Sequence, residues 1–215
     1  MARLRLDLHI HSMYSGDGVM PPEQIVARAR RTGLDGIAVT DHDTIRGGVE
    51  TRRLEPADML VIVGAEIMTD QGEVIGLFLK EEITEQKLER VVEEIRSQGG
   101  LVVVPHPFDT LRKSAFHIAD EQASLADAIE VFNSRCVFSS ANRMAADYAR
   151  VHNLPAVAGS DAHYASEIGH AGIVTDSRDV RTAIATGSVE VFGRRSSPAI
   201  HARTKARKIL GRGHG

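Results

Sequence analysis

The chain has 215 residues, 42% of them hydrophobic, with 26 basic and 29 acidic residues and a net charge of -3. That length supports a sizeable core and fits one domain, since α/β barrels commonly run to about 200–250 residues. A balance so near neutral argues against a dominant nucleic-acid footprint, no apolar run approaches the roughly 20 residues that span a bilayer, and a lone cysteine, Cys136, excludes an internal disulfide.

The charge is uneven along the chain. No acidic residue follows Glu190, while Arg194, Arg195, Arg203, Lys205, Arg207, Lys208 and Arg212 do, leaving 19 basic against 29 acidic residues, or -10, in the rest. The expected organisation is therefore a body over residues 1–195 and a basic tail over 196–215, the tail being the one place where nucleic acid could touch. The first residues, Met-Ala-Arg-Leu-Arg-Leu-Asp, lack the apolar centre of a signal peptide. With the single cysteine this leads to an expected cytoplasmic location and no membrane partner.

Leu6 to Ser12 alternates apolar and polar residues, which predicts a strand. Residues two apart on a strand share a face, so His9 and His11 project together. Gly16 and Gly18 let a tight loop return Asp17 beside them. Pro21-Pro22-Glu23 opens a helix with Ile25, Val26, Ala29 and Leu34 inward, and Gly33 ends it. Asp35 to Thr40 is a strand running into Asp41-His42-Asp43, and Thr44 to Leu54 a polar helix. Met59 to Val63 is a strand closed by Gly64-Ala65-Glu66. Asp70-Gln71-Gly72 is a turn, with Glu73 to Leu79 returning as a hairpin. Thr84 to Gln98 has helical spacing. Leu101 to Val104 is a buried strand ending in Pro105-His106-Pro107. Ala128 to Phe132 is a strand before Asn133-Ser134-Arg135-Cys136, and Ser140 to His152 a helix with Met144, Ala145, Tyr148 and Ala149 inward. Pro155 to Ala158 runs into Gly159-Ser160-Asp161-Ala162-His163. A short strand at Ile173-Val174, a helix near Val180 to Ala185 and a strand over Val189 to Phe192 finish the body.

The repeating order of strand, polar loop and helix predicts a parallel sheet covered by helices. At least five strands lead directly into a His, Asp or Glu. In closed α/β barrels the loops at the strands' carboxyl ends meet at one mouth, so these scattered residues would converge there. Imidazoles and carboxylates gathered in this way are the donor set of a metal site.

His9-x-His11, Thr40-Asp41-His42-Asp43, Glu66, Pro105-His106-Pro107 and Gly159-Ser160-Asp161-Ala162-His163 resemble, in order and spacing, the motifs of the PHP (polymerase and histidinol phosphatase) family over roughly residues 5–175. The resemblance implies an α/β fold, a distorted (β/α)7 TIM-like barrel, holding two or three divalent metals and hydrolysing phosphoesters. Carried over by position, it implies His9, His11, Asp17, His42, Glu66, His106, Asp161 and His163 as ligands. A further family ligand falls near Cys136, which reads equally well as a small buried hydrophobe. Where some members have a histidine this chain has Glu73, a possible additional ligand. Asp41 or Asp43 could orient an imidazole, and Arg135 and Arg143 could clamp a substrate phosphate. His117, His152, His170, His201 and His214 lie outside the motifs and read as ordinary residues.

The expected chemistry is hydrolysis of a nucleotide, oligonucleotide or small-metabolite phosphate by a metal-bridging hydroxide. Glu66 bridges the ions, and His163 or His42 protonates the leaving group. Manganese, zinc or iron suits such a nitrogen-rich set better than magnesium alone. Two other classes stay open: a non-catalytic metal-binding or regulatory barrel, and an amidohydrolase-like C–N hydrolase. The second would want a bridging lysine, for which no strand end offers a candidate.

Overall fold

The computed structural model describes residues 3–54, 58–197 and 200. Its strands are β1 (Leu4–Ile10), β2 (Gly36–His42), β3 (Leu60–Thr69), β4 (Gly72–Leu77), β5 (Leu101–Val104), β6 (Ala128–Asn133), β7 (Ala156–Gly159), β8 (Ala171–Thr175) and β9 (Glu190–Gly193). Its helices are α1 (Pro22–Arg31), α2 (Arg46–Arg53), α3 (Leu88–Ser97), α4 (Ser139–Val151) and α5 (Val180–Ala185). The strands form one sheet in the order β7-β6-β5-β4-β3-β2-β1-β8-β9.

The sheet curls until its first and seventh strands meet. Beyond β7, Ala162 pairs with Ile10 in parallel, His11 N donates to Ala162 O at 2.9 Å, and Ala162 N donates to His9 O at 3.3 Å. Gly159 lies against His9 so closely that a Cβ has no room. The barrel-like α/β fold expected from the strand-helix order is what forms. It is not all parallel. β1-β2-β3 and β5-β6-β7 pair in parallel, β4 is antiparallel between β3 and β5, and β8 and β9 add antiparallel to β1 and to each other. Residues 160–170 hold no helix, and without a helical crossover β8 returns antiparallel to β1; β9 then pairs antiparallel with β8 across α5.

The inner face of the sheet divides into two levels. Leu6, Leu8, Ala38, Ile62, Ile75, Leu77, Leu101, Val103, Ala128 and Val157 pack together as an apolar plug. Two residues or one further turn of the alternation along the same strands stand Thr40 and His42, Glu66, Glu73, Glu130 and Asp161. In β1 the pairing slips between Asp7 and Ile10. This bulge lets Leu8 stay in the plug while His9 and His11 face the mouth. Outside the barrel, Ile25, Val26 and Ala29 of α1 cover Ile37 and Val39, and Leu88, Val91, Val92 and Ile95 of α3 cover Val102 and Val74.

Several local expectations shift. β3 does not stop at Glu66 but continues to Thr69, because the hairpin with β4 pairs Thr69 with Gly72. α3 begins at Leu88 rather than Thr84. Asp70 Oδ1 accepts the Leu88 N–H at 3.0 Å, and Asp70 N donates to Gln86 O at 2.8 Å, which fastens the residues before the helix to the hairpin turn. Met144 is 52% exposed rather than inward, since Ala141, Ala145, Tyr148 and Ala149 already fill the buried face of α4. Ser196, the first residue of the expected tail, is buried; its N–H donates to Ser134 O at 2.8 Å and its hydroxyl lies 3.0 Å from His170 Nδ1. The tail from residue 201 lies outside the described residues.

Gly159→Ala should force β7 away from β1 at the closure. An overpacked site of this kind costs about 1–3 kcal/mol, so the melting temperature should fall by about 2–12 °C, at roughly 2–4 °C per kcal/mol for a protein of this size, read by circular dichroism.

Candidate metal centre

Glu66 stands at the centre of the mouth. Its Oε2 lies 3.4 Å from His9 Nε2, 3.3 Å from His11 Nε2 and 3.3 Å from His42 Nδ1, and its Oε1 lies 3.0 Å from His106 Nε2. The pairing of β2 with β3 sets His42 directly opposite Glu66. Asp17 arrives on the loop after Met13–Ser15, with its Oδ2 3.1 Å from His163 Nε2 and 3.5 Å from His42 Nε2. Gly16 at φ 70° provides the turn, and Gly18 passes so near Ser12 O that only glycine fits. Asp161 Oδ1 lies 3.4 Å from His11 Nε2 and 3.4 Å from His163 Nδ1.

Among the described residues three overlapping groups could each hold a metal ion: His11, Asp17, His42 and His163; His9, His11 and Asp161; and His42, Glu66 and Glu73. Asp161 Oδ1 and Glu73 Oε2 are buried without a hydrogen-bond partner, a costly state for carboxylate oxygens unless a cation faces them. His106 joins the cluster through Glu66. It sits at φ 33° and Asp161 at φ 55°, backbone positions that non-glycine residues rarely occupy and that concentrate at functional sites.

Other expected residues stand outside these groups. Cys136 belongs to none of the three. Burial pushes its thiol well up, against the pull of Arg112, and the nearby Asp109, Glu130 and Asp161 add to the rise, the setting of a small buried hydrophobe at the edge of the cluster. Arg135 is buried with its Nε donating to Glu167 Oε1 at 2.9 Å; Glu167 Oε2 in turn accepts the N–H of His163 at 3.1 Å. Arg135 thus steadies the His163 loop instead of offering a free clamp. Arg143 sits on the exposed side of α4 and donates to Ser139 Oγ at 3.1 Å, away from the cluster. Neither flanking aspartate orients the His42 ring. Asp41 accepts from Ser12 N at 2.5 Å and Ser12 Oγ at 2.6 Å, and Asp43 accepts from Met68 N at 2.8 Å, so both pin backbone.

Two functional side chains escaped the sequence reading. Glu130 Oε1 lies 3.0 Å from His9 Nδ1, and its Oε2 accepts from His106 N at 2.9 Å and Asn133 Nδ2 at 2.9 Å. It fixes the His9 tautomer so that Nε2 faces the cluster. Its signal was present: one carboxylate in the apolar strand Ala128–Phe132, in phase with the inward residues. Arg112, from the loop after β5, donates to Asp161 Oδ2 and to Asp109 Oδ2. It holds one oxygen of Asp161 and leaves the other for the cluster. Nothing in its loop has a periodicity that would reveal it.

Charge is concentrated here. Burial pushes Glu66 and Asp161 up, but His9, His106 and His11 around Glu66, and Arg112 and His9 around Asp161, outweigh it and hold both well below the usual carboxylate range. Burial depresses His11, yet Asp161 and Glu66 raise it to about 9, while burial and the neighbouring His11 push His163 down to about 4. A proton on His11 therefore supplies positive charge that a metal would have to displace.

A family description of the PHP domain matches residues 7–101, and one of a PHP-associated region matches residues 139–188. The chain belongs to the PHP-domain family. Two uncharacterized proteins of Methanocaldococcus jannaschii are similar to it. One is 42% identical over 61% of this chain and 82% of its own length; the other is 35% identical over 79% and 70%. The crystal structure of a two-domain protein of Bacteroides vulgatus, described as containing a predicted PHP-like metal-dependent phosphoesterase, superposes with a TM-score of 0.74 at 22% identity. That match covers 90% of this chain and 65% of that one, and at such identity it shows a shared fold.

Glu130→Gln should weaken metal binding about 10–100-fold without unfolding the chain, measured by calorimetric titration of chelator-treated protein. Below pH 9 apparent affinity should rise with pH, by about tenfold per unit for each proton released, because His11 must lose its proton to become a donor; titrations at pH 6, 7 and 8 check the slope.

Proposed function

We propose that the protein is a metal-dependent phosphoesterase acting on a small phosphorylated substrate: a nucleotide, a short oligonucleotide or a metabolite phosphate. The observation that carries this reading is the meeting of three metal-competent groups around Glu66 at one barrel mouth. In this reading His9, His11, Asp17, His42, Glu66, Glu73, His106, Asp161 and His163 hold two or three divalent cations of the manganese, zinc or iron type. Such cations neutralise phosphoryl oxygens and acidify a bound water.

The chain's own residues do the rest. Arg112 and Asn133 grip one oxygen of Asp161, Glu130 orients His9, and Ser15 Oγ, 2.9 Å from His11 Nδ1, fixes that ring. His42 is 28% exposed while the other four clustered histidines are buried. Its ring can hand a proton to a departing oxygen only when no cation occupies it, whereas His163 stays neutral and buried as a donor to metal. The three described lysines, Lys80, Lys87 and Lys113, are all exposed, which disfavours a lysine-bridged C–N hydrolase. Among the described residues no helix is long and apolar enough to cross a membrane. A cytoplasmic place, and nucleic-acid contact through the basic residues after Glu190, remain part of the proposal and rest on the sequence.

Manganese-loaded protein should hydrolyse a chromogenic phosphoester. His9→Ala/His11→Ala should abolish turnover, a loss of at least about 1,000-fold given how metal-assisted hydrolysis depends on intact ligation. Turnover that survives both the double substitution and chelator would overturn the reading, and a parallel amide and lactone panel separates the C–N alternative.

A further inference from the structure

The three metal-competent groups do not offer the same chemistry. His11, Asp17, His42 and His163 present three imidazoles and one carboxylate, whereas His42, Glu66 and Glu73 present two carboxylates and one imidazole. The imidazole is common to both. His42 turns Nε2 toward Asp17 at 3.5 Å and Nδ1 toward Glu66 at 3.3 Å and Glu73 at 3.7 Å. A neutral imidazole has a lone pair on one nitrogen only, so His42 serves one corner at a time. When it serves the imidazole-rich corner, the other is left with oxygen donors alone.

Glu73 is built for that role. It is 4% exposed, and its Oε2 is buried without a partner beside the cluster. Its backbone is held from two sides: it pairs with Met68 across the hairpin, and its N–H donates to Ser114 O at 2.8 Å.

We propose that the His42–Glu66–Glu73 corner selects a hard divalent cation of the magnesium or manganese class, while the His11–Asp17–His42–His163 corner takes a borderline cation of the zinc or iron class, so that the filled centre is heterometallic. Carboxylate oxygens favour the first kind of ion and imidazole the second. The inference rests on the metal-centre reading of the cluster but not on any substrate or turnover.

The test is a metal count on full-length protein. Wild type, Glu73→His and Glu73→Gln are stripped with chelator, equilibrated against buffered mixtures of Mn2+ and Zn2+, and analysed by plasma mass spectrometry. Wild type should hold manganese and zinc in the same preparation. Glu73→His should shift one ion per chain toward zinc by about tenfold in the Mn/Zn competition, leaving the remaining ions unmoved, and Glu73→Gln should lose that ion. An identical Mn/Zn ratio in all three proteins overturns the proposal. If the variants fail to fold by circular dichroism, pulsed electron-spin resonance on wild type loaded with both metals decides: one coupled imidazole nitrogen or none at Mn2+ supports it, and two or more overturn it. Wild type that binds no ion overturns the metal centre itself, an outcome distinct from binding with uniform selectivity.

Discussion

Glu66 carries its negative charge in the middle of a barrel, wholly buried, with four histidines against it. A lone carboxylate there would be prohibitively costly, so the rings and their supports have to be present together. Removing any one partner leaves the others buried and uncompensated, which is why breaking such an arrangement costs more than its net contribution to stability. The remainder of the mouth serves this requirement. Glu130 and Ser15 turn His9 and His11 toward the carboxylate, Arg112 tethers Asp161, and Arg135 works through Glu167 on the loop bearing His163.

The apolar plug below makes the arrangement possible. Side chains such as Leu6, Leu8, Ile62 and Leu77 fill the bottom of the barrel and exclude water from beneath the cluster, which strengthens every electrostatic contact above. Two irregularities then aim the donors. Pairing slips in β1 between Asp7 and Ile10 and in β6 between Glu130 and Phe132. Without the first, Leu8 and His9 would point to opposite faces of the sheet and His9 would leave the mouth.

Much of this was readable in the chain itself. The strands were visible as short apolar runs, and the ordered histidines and acids at their ends pointed to one mouth before any coordinates. What failed were features decided by distant partners. The start of α3 depends on Asp70 in the hairpin turn, Met144 lost its inward place because its helix neighbours already cover the sheet, and β8 turned antiparallel to β1 because the loop before it lacks a helix. In the site the same division holds. Glu130 could have been found by counting alternate residues along its strand. Arg112 could not, because its position is set by Asp109 and Asp161 rather than by anything local.

The residues able to hold a metal span the chain from His9 to His163, and the seam that joins β1 to the segment after β7 closes through Ala162 with Ser160 beside it. During synthesis on the ribosome the emerging polypeptide therefore carries an incomplete cage for most of its length. Its first histidines cannot trap a cation with full affinity until the last staves have been translated and zipped to the first. Any ion this cluster holds would therefore be captured late, coupled to final closure rather than to the early strands.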